Sequence, residues 1–237
     1  MIKYCKVFLN RYVSKEQVLL TYIFLTTVRF KMIFDDVLEL MKTPNKKALD
    51  KSLADCHVKG CFSLVVGGEE DESGELQHGT LTRIFIATKK ISPFDIQFHS
   101  HRYPLTIGVI NGCFEHHLAL PYNYSESTCY SYVTMKEYKY TSPLNGGIGL
   151  TSQGEATYSL KSYSIPVGGE IYLDETDIHT VSVSKGSIWI VKEHGFDSDS
   201  SVVLGTSFQT DGLYNPPQQF QVNDMYTLVY DKLKKLF

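Results

Sequence analysis

The chain has no strong excess of charge of either sign, no obvious membrane span and no cysteine framework. A formal net charge of −3 over 237 residues gives no general attraction to nucleic acid or to an anionic membrane surface. The apolar stretch VLLTYIFLTTV at 18–28 is much shorter than the ~20 residues that a membrane helix takes. It sits behind a basic beginning, as the core of a signal peptide does, but no small-x-small cleavage site follows it. We therefore expect it to be buried. MIFDDVLELM opens like a fresh amphipathic helix, which makes Met32 a second candidate start. The five cysteines, Cys5, Cys56, Cys61, Cys113 and Cys129, are odd in number and lack framework spacing. They read as reduced thiols, and the expected location is cytoplasmic. Absence of a Walker-type loop, a G-x-S-x-G elbow and a G-x-G-x-x-G fingerprint removes P-loop, α/β-hydrolase and dinucleotide-fold readings. No internal repeat or low-complexity tract is visible.

What the chain does have is β-forming material. Hydrophobic residues make up 43% of it, with 16 Tyr, 13 Phe and 17 Gly, a profile that suits a β-rich protein better than a helical bundle. From residue 80 onward, short apolar or alternating segments follow one another with turn residues between them, among them TLTRIFIATKK, LTIGVIN, IHTVSVS and SIWIVKEHG. This spacing predicts an antiparallel sandwich or barrel. Helical periodicity appears before it, at Val37, Leu38, Met41, Leu49 and Leu53 around Pro44. It returns at the end, at Met225, Leu228, Val229 and Leu233, with Asn223 or Asp224 as cap. The expected organisation is an N-terminal segment over 1–78, a barrel over 79–210 with an insertion at about 121–165, and a tail with a helix over 211–237.

The chemistry concentrates in FHSHRYPLTIGVINGCFEHH at 98–117. On an extended strand Asp95, Gln97, His99 and His101 share one face, and Ile96 and Phe98 the other. Two imidazoles two residues apart on a strand can converge on one metal ion as neutral nitrogen ligands. Asn111-Gly112 then predicts a tight hairpin turn. Later, His179 shares the apolar face of its strand with Val181 and Val183, where an imidazole needs a partner or a metal. SVSKGSIWIV reads as a hairpin returning through Trp189.

His-x-His, the turn glycine Gly112, Gly169-Glu170 and His179 together resemble the two motifs of the cupin superfamily over roughly residues 80–195. The resemblance implies a mainly β, double-stranded β-helix (jelly-roll) barrel, here with N-terminal helices and a C-terminal helix. It also implies His99, His101 and His179 as metal ligands. The position of the family's first-motif Glu falls at Thr106, and the usual Pro before the last His is missing. Three histidines without a carboxylate are similar to the thiol dioxygenase branch. The implied cofactor is one divalent transition metal, with Fe(II) favoured and Zn, Ni or Mn as alternatives.

Arg102 and Tyr103 are the expected substrate-holding residues, with Tyr130 and Tyr132 at the mouth. Of His116 and His117 only one can face a barrel interior, because neighbours on a strand point to opposite faces. Glu115 is a substitute carboxylate from the next strand, CHVKGC at 56–61 a buried connection, and His194 a surface turn residue. KEYKY and KLKKLF read as a solvated strand face and a docking helix. Two functions of different class follow. One is a mononuclear Fe(II) oxygenase acting on a small polar or anionic molecule; the other is a non-catalytic cupin that binds or sequesters a small-molecule ligand. Neither involves nucleic acid or membrane, and exposed sheet edges suggest a homodimer.

Overall fold

The computed structural model describes residues 38–39, 41–42, 46–93, 95–122, 132–141, 148–195, 198–205, 218–219, 227, 229–231 and 234–235. The 18–28 stretch, Met32, Tyr130 and the cap at Asn223 or Asp224 lie outside them. Among the described residues no helix is long and apolar enough to cross a membrane.

The fold is mainly β, a jelly-roll barrel of two antiparallel sheets. A short helix, α1 (Lys46–Asp50), precedes β1 (Leu53–Ala54), β2 (Cys61–Gly67), β3 (Thr82–Ala87) and β4 (Leu105–Asn111). There follow β5 (Phe114–Pro121), β6 (Tyr132–Thr141), β7 (Gly149–Ile165), β8 (Glu170–Leu173), β9 (Ile178–Val183), β10 (Ile188–Glu193), β11 (Ser201–Gly205) and β12 (Gln218–Gln219). The larger sheet runs β12-β1-β2-β3-β10-β4-β8, and the smaller runs β11-β6-β7-β5-β9.

The central strands of the larger sheet, β2, β3, β4 and β10, are buried on both faces, which explains why they read as continuous apolar runs rather than alternating ones. Phe85, Ala87, Ile107, Val109, Trp189 and Val191 face the barrel interior. Their neighbours Ile84, Ile86, Ile110, Ile188 and Ile190 form a second cluster with Met41 and Val229, so helical residues from both ends of the chain cover the outer face. The smaller sheet closes on itself through a short extended segment. His99 pairs with His179 on one side and Val203 on the other, joining the edges β9 and β11.

Two expected hairpins are corrected. β4 pairs with β10 and β8, whereas β5 pairs with β7 and β9, so Asn111-Gly112 carries the chain from one sheet to the other. The β9–β10 connection does the same. In each case both flanking strands have better partners elsewhere than each other, and a local turn signal does not report partner choice. Gly112 is still required: its φ is +89°, and a Cβ there would lie 2.8 Å from Ser187 Cα and closer to its Oγ. The described part of the 121–165 insertion is a long hairpin, β6 with β7, continuing the smaller sheet outward from β5.

Candidate metal centre

Backbone pairing brings the first two histidines together. His99 N–H donates to His179 O and His179 N–H to His99 O, both at 2.9 Å. This is the hydrogen-bonded antiparallel pair, which sets side chains of opposite residues side by side on one face. His101, two residues beyond His99, presents its ring to the same spot. The segment carrying His99 and His101 is not a regular strand, as the alternation had predicted, but a bridge between two strand edges. It keeps the two-residue period, and with it the shared face.

One nitrogen from each of His99, His101 and His179 lies within 4.8 Å of the others. Nε2 of His101 and Nε2 of His179 face each other at 2.8 Å, across 78 residues of sequence. His99 has its Nδ1 against the carbonyl of Gln97 at 2.8 Å, which leaves Nε2 as its ligand atom. Burial is the main cause holding all three rings in the neutral form. The His99 pKa is lowered to about 3, and those of His101 and His179 fall well below the ordinary 6.5. Neutral imidazoles with free lone pairs are what a transition ion needs. The donor set therefore fits a metal. No carboxylate joins it among the described residues.

Thr106 is not at this centre. It points outward, with Oγ1 and His194 Nε2 2.8 Å apart. The inward positions at that level are Leu105 and Ile107, both lining the cavity, so counting along the chain selected the wrong face. Glu115 is also on the outside, accepting a hydrogen bond from Ser182 Oγ at 3.0 Å. His194, exposed, lies beside Thr106 and Tyr172.

Of the His116–His117 pair, His116 faces inward and is fully buried. Its Nε2 lies 2.9 Å from His179 Nδ1. His117 faces outward between Ser162 Oγ at 2.7 Å and Ser182 Oγ at 2.8 Å.

The three rings open onto a cavity of about 60 Å³, room for a few water-sized groups. Its walls are mostly apolar: Phe85, Ile96, Leu105, Ile107, Val181 and Trp189. Phe85 and Trp189 stack at 5.3 Å. Thr180 also lines it, but its hydroxyl donates to Ile96 O at 2.9 Å.

Sequence reasoning missed His57 as a site residue. It lines the cavity and stacks on His99 with ring centroids 4.8 Å apart. It stands in a tight loop where Asp55 and His57 both have positive φ, 53° and 63°, a conformation that Asp and His tolerate better than most residues. Gly60 N–H donates to Asp55 Oδ1 at 2.6 Å and closes that loop. Cys61, buried at its end, also lines the cavity. The CHVKGC pattern held a signal, a histidine in a Gly-terminated turn, but nothing local says that the turn abuts a segment some forty residues away.

Arg102 and Tyr103 do not line the cavity. Tyr103 lies against His101 with ring centroids 6.1 Å apart and donates its hydroxyl to Glu193 Oε1 at 3.0 Å. Arg102 is half-buried, and its main-chain carbonyl accepts from Ser198 N–H at 3.0 Å. Tyr132 is 44% exposed and packs edge-on to Tyr122. No protein-family model matches this chain and no curated protein matches it in sequence, so the reading of the centre rests on its geometry.

Proposed function

We propose that the protein is a metal-dependent enzyme of the cupin type, a mononuclear Fe(II) oxygenase whose ion is held by His99, His101 and His179. One observation carries this reading. Three neutral imidazoles converge within 4.8 Å on the wall of a mostly apolar cavity, with no carboxylate among the described residues to account for them. A purely structural cluster at that depth would cost desolvation without return. When bound, Fe(II) would supply one-electron chemistry toward O₂ and a local positive charge.

The rest is done by the chain. The Phe85–Trp189 stack and the aliphatic walls exclude water and hold the body of a small substrate. The absence of a carboxylate among the described ligands leaves the ion's charge uncompensated, which favours a polar or anionic group at the reacting end. His57 stands beside His99, where a ring N–H can donate to such a group.

Trp189 is the only tryptophan in the chain and it lines the cavity, so its fluorescence reports on the centre directly. Anaerobic Fe(II) titration of the purified protein is expected to quench it with a one-to-one endpoint. His99→Ala should abolish that endpoint while the far-UV circular dichroism stays unchanged. A wild-type chain that takes up no divalent transition metal would end this reading. Stoichiometric iron with no O₂ consumption across a panel of small carboxylates and thiols would instead favour the ligand-sequestering alternative.

A further inference from the structure

His116 is fully buried, and among the described residues its Nδ1 has no hydrogen-bond partner. Its Nε2 is 2.9 Å from Nδ1 of His179, whose own Nε2 is 2.8 Å from Nε2 of His101. The three rings thus form one chain, His116–His179–His101. A neutral imidazole carries one proton on one of its two nitrogens, so the direction of one bond fixes the direction of the other.

Two arrangements exist. In the first, His116 Nε2–H donates to His179 Nδ1, and His179 Nε2–H donates to His101 Nε2. The unpartnered Nδ1 of His116 is then a bare lone pair. In the second, every proton sits one nitrogen back along the chain. His101 Nε2–H donates to His179 Nε2, and His179 Nδ1–H donates to His116 Nε2. The unpartnered atom is then a buried N–H. An orphaned buried N–H is the rarer and costlier of the two, so the metal-free centre adopts the first arrangement.

A metal ion takes lone pairs at Nε2 of both His101 and His179. His101 already offers one in the first arrangement, but His179 does not. We infer that His116 is a positioning residue that sets the tautomer of His179, and that metal entry shifts two protons along this pair. The His179 proton moves from Nε2 to Nδ1, and the His116 proton moves from Nε2 to Nδ1. The number of protons on the rings is unchanged, and His116 Nε2 ends as the acceptor that holds the ligand ring in orientation. Ligating histidines regularly need such a partner on the far nitrogen. Here the partner is itself a histidine, which can accept or donate with the same atom, where a carboxylate or carbonyl can only accept. The inference rests on the three-His reading above.

The test uses the full chain with ¹⁵N-labelled histidine and Zn(II) as the probe. Side-chain ¹⁵N–¹H correlation spectra should show His116 as the Nε2–H tautomer without metal and as the Nδ1–H tautomer with one equivalent of Zn(II). A His116 that keeps Nε2–H in the loaded protein overturns the relay. Chelator competition adds a second readout. His116→Gln, whose side-chain oxygen restores an acceptor, should hold Zn(II) within about 3-fold of wild type, whereas His116→Leu should lose roughly 10- to 100-fold. Equal affinity of His116→Leu and wild type also overturns it. Both of those outcomes leave the metal centre standing. A wild type that binds no Zn(II) at all takes the centre and the relay down together.

Discussion

Two buried polar clusters lie along the inner face of the same barrel, and they are built on opposite terms. In the first, Glu193 accepts from Arg83 Nε at 2.9 Å and from Tyr103 hydroxyl at 3.0 Å on Oε1. On Oε2 it accepts from the backbone N–H groups of Gly79 at 2.8 Å and Leu81 at 3.2 Å. Arg83 donates further to Ser63 Oγ and Lys51 O. Charge is paired and the carboxylate's lone pairs are used. In the second, His99, His101, His116 and His179 meet with no counter-charge among the described residues, His116 Nδ1 has no partner among them, and His179 pairs through both ring nitrogens with other histidines. Tyr103 connects the two, its hydroxyl in the first and its ring against His101. A saturated network holds a fold together; the unsaturated one of the same depth is where we propose that the metal binds.

The sharpest way to break this contrast is to disable the saturated cluster. Glu193→Ala leaves the Arg83 guanidinium buried without its partner, and removing one member of a buried pair costs about 3–5 kcal/mol. Thermal denaturation should show the midpoint falling by roughly 10 °C, on the ~2–4 °C per kcal/mol expected for a chain of this size. An unchanged midpoint would mean that the cluster is not structural.

Acid should act on the other cluster, with an intermediate effect. Burial lowers the His116 pKa from 6.5 to about 4 and that of His99 to about 3. Between these values and 6.5 the unfolded chain binds protons that the folded chain refuses. Stability is therefore full above about pH 6.5 and falls as pH drops toward 4. For His116 alone the slope is about 1.4 kcal/mol per pH unit. Urea titrations of the metal-free protein at stepped pH should show this loss, and His116→Leu should make it less steep by the share of His116 alone. A pH-independent midpoint across that window would show that the rings are not neutral by burial.

The smallest effect is expected at Thr106. Thr106→Val removes one exposed hydrogen bond to His194, costing at most ~1 kcal/mol, and leaves Zn(II) affinity unchanged. A drop in affinity would return Thr106 to the centre.

How much of this was legible beforehand follows from how far each signal reaches. Period-two alternation placed His99 with His101 and set His179 with Val181 and Val183 on an inward face; both hold because alternation is a property of extended backbone itself. It also said that one of His116 and His117 must face inward, without saying which. The family's motif spacing failed at Thr106, which alternation counted on from His101 places outward with Leu105 and Ile107 inward, and the turn signal failed at Asn111-Gly112, where it is blind to which sheet receives the next strand. His57 was out of reach, because its contact with His99 depends on two loops meeting across the barrel mouth.

The sequence by itself therefore determined a mainly β chain, the apolar and polar faces of its strands, and a histidine pair that shares one face. These depend on near neighbours, which local sterics and hydrophobic pattern control. Only the tertiary structure decided that residues 98–100 bridge the edges β9 and β11, that His116 backs His179, and that Glu193 is spent on Arg83. Each of those is a long-range pairing, chosen by which contacts satisfy buried polar groups across the whole barrel.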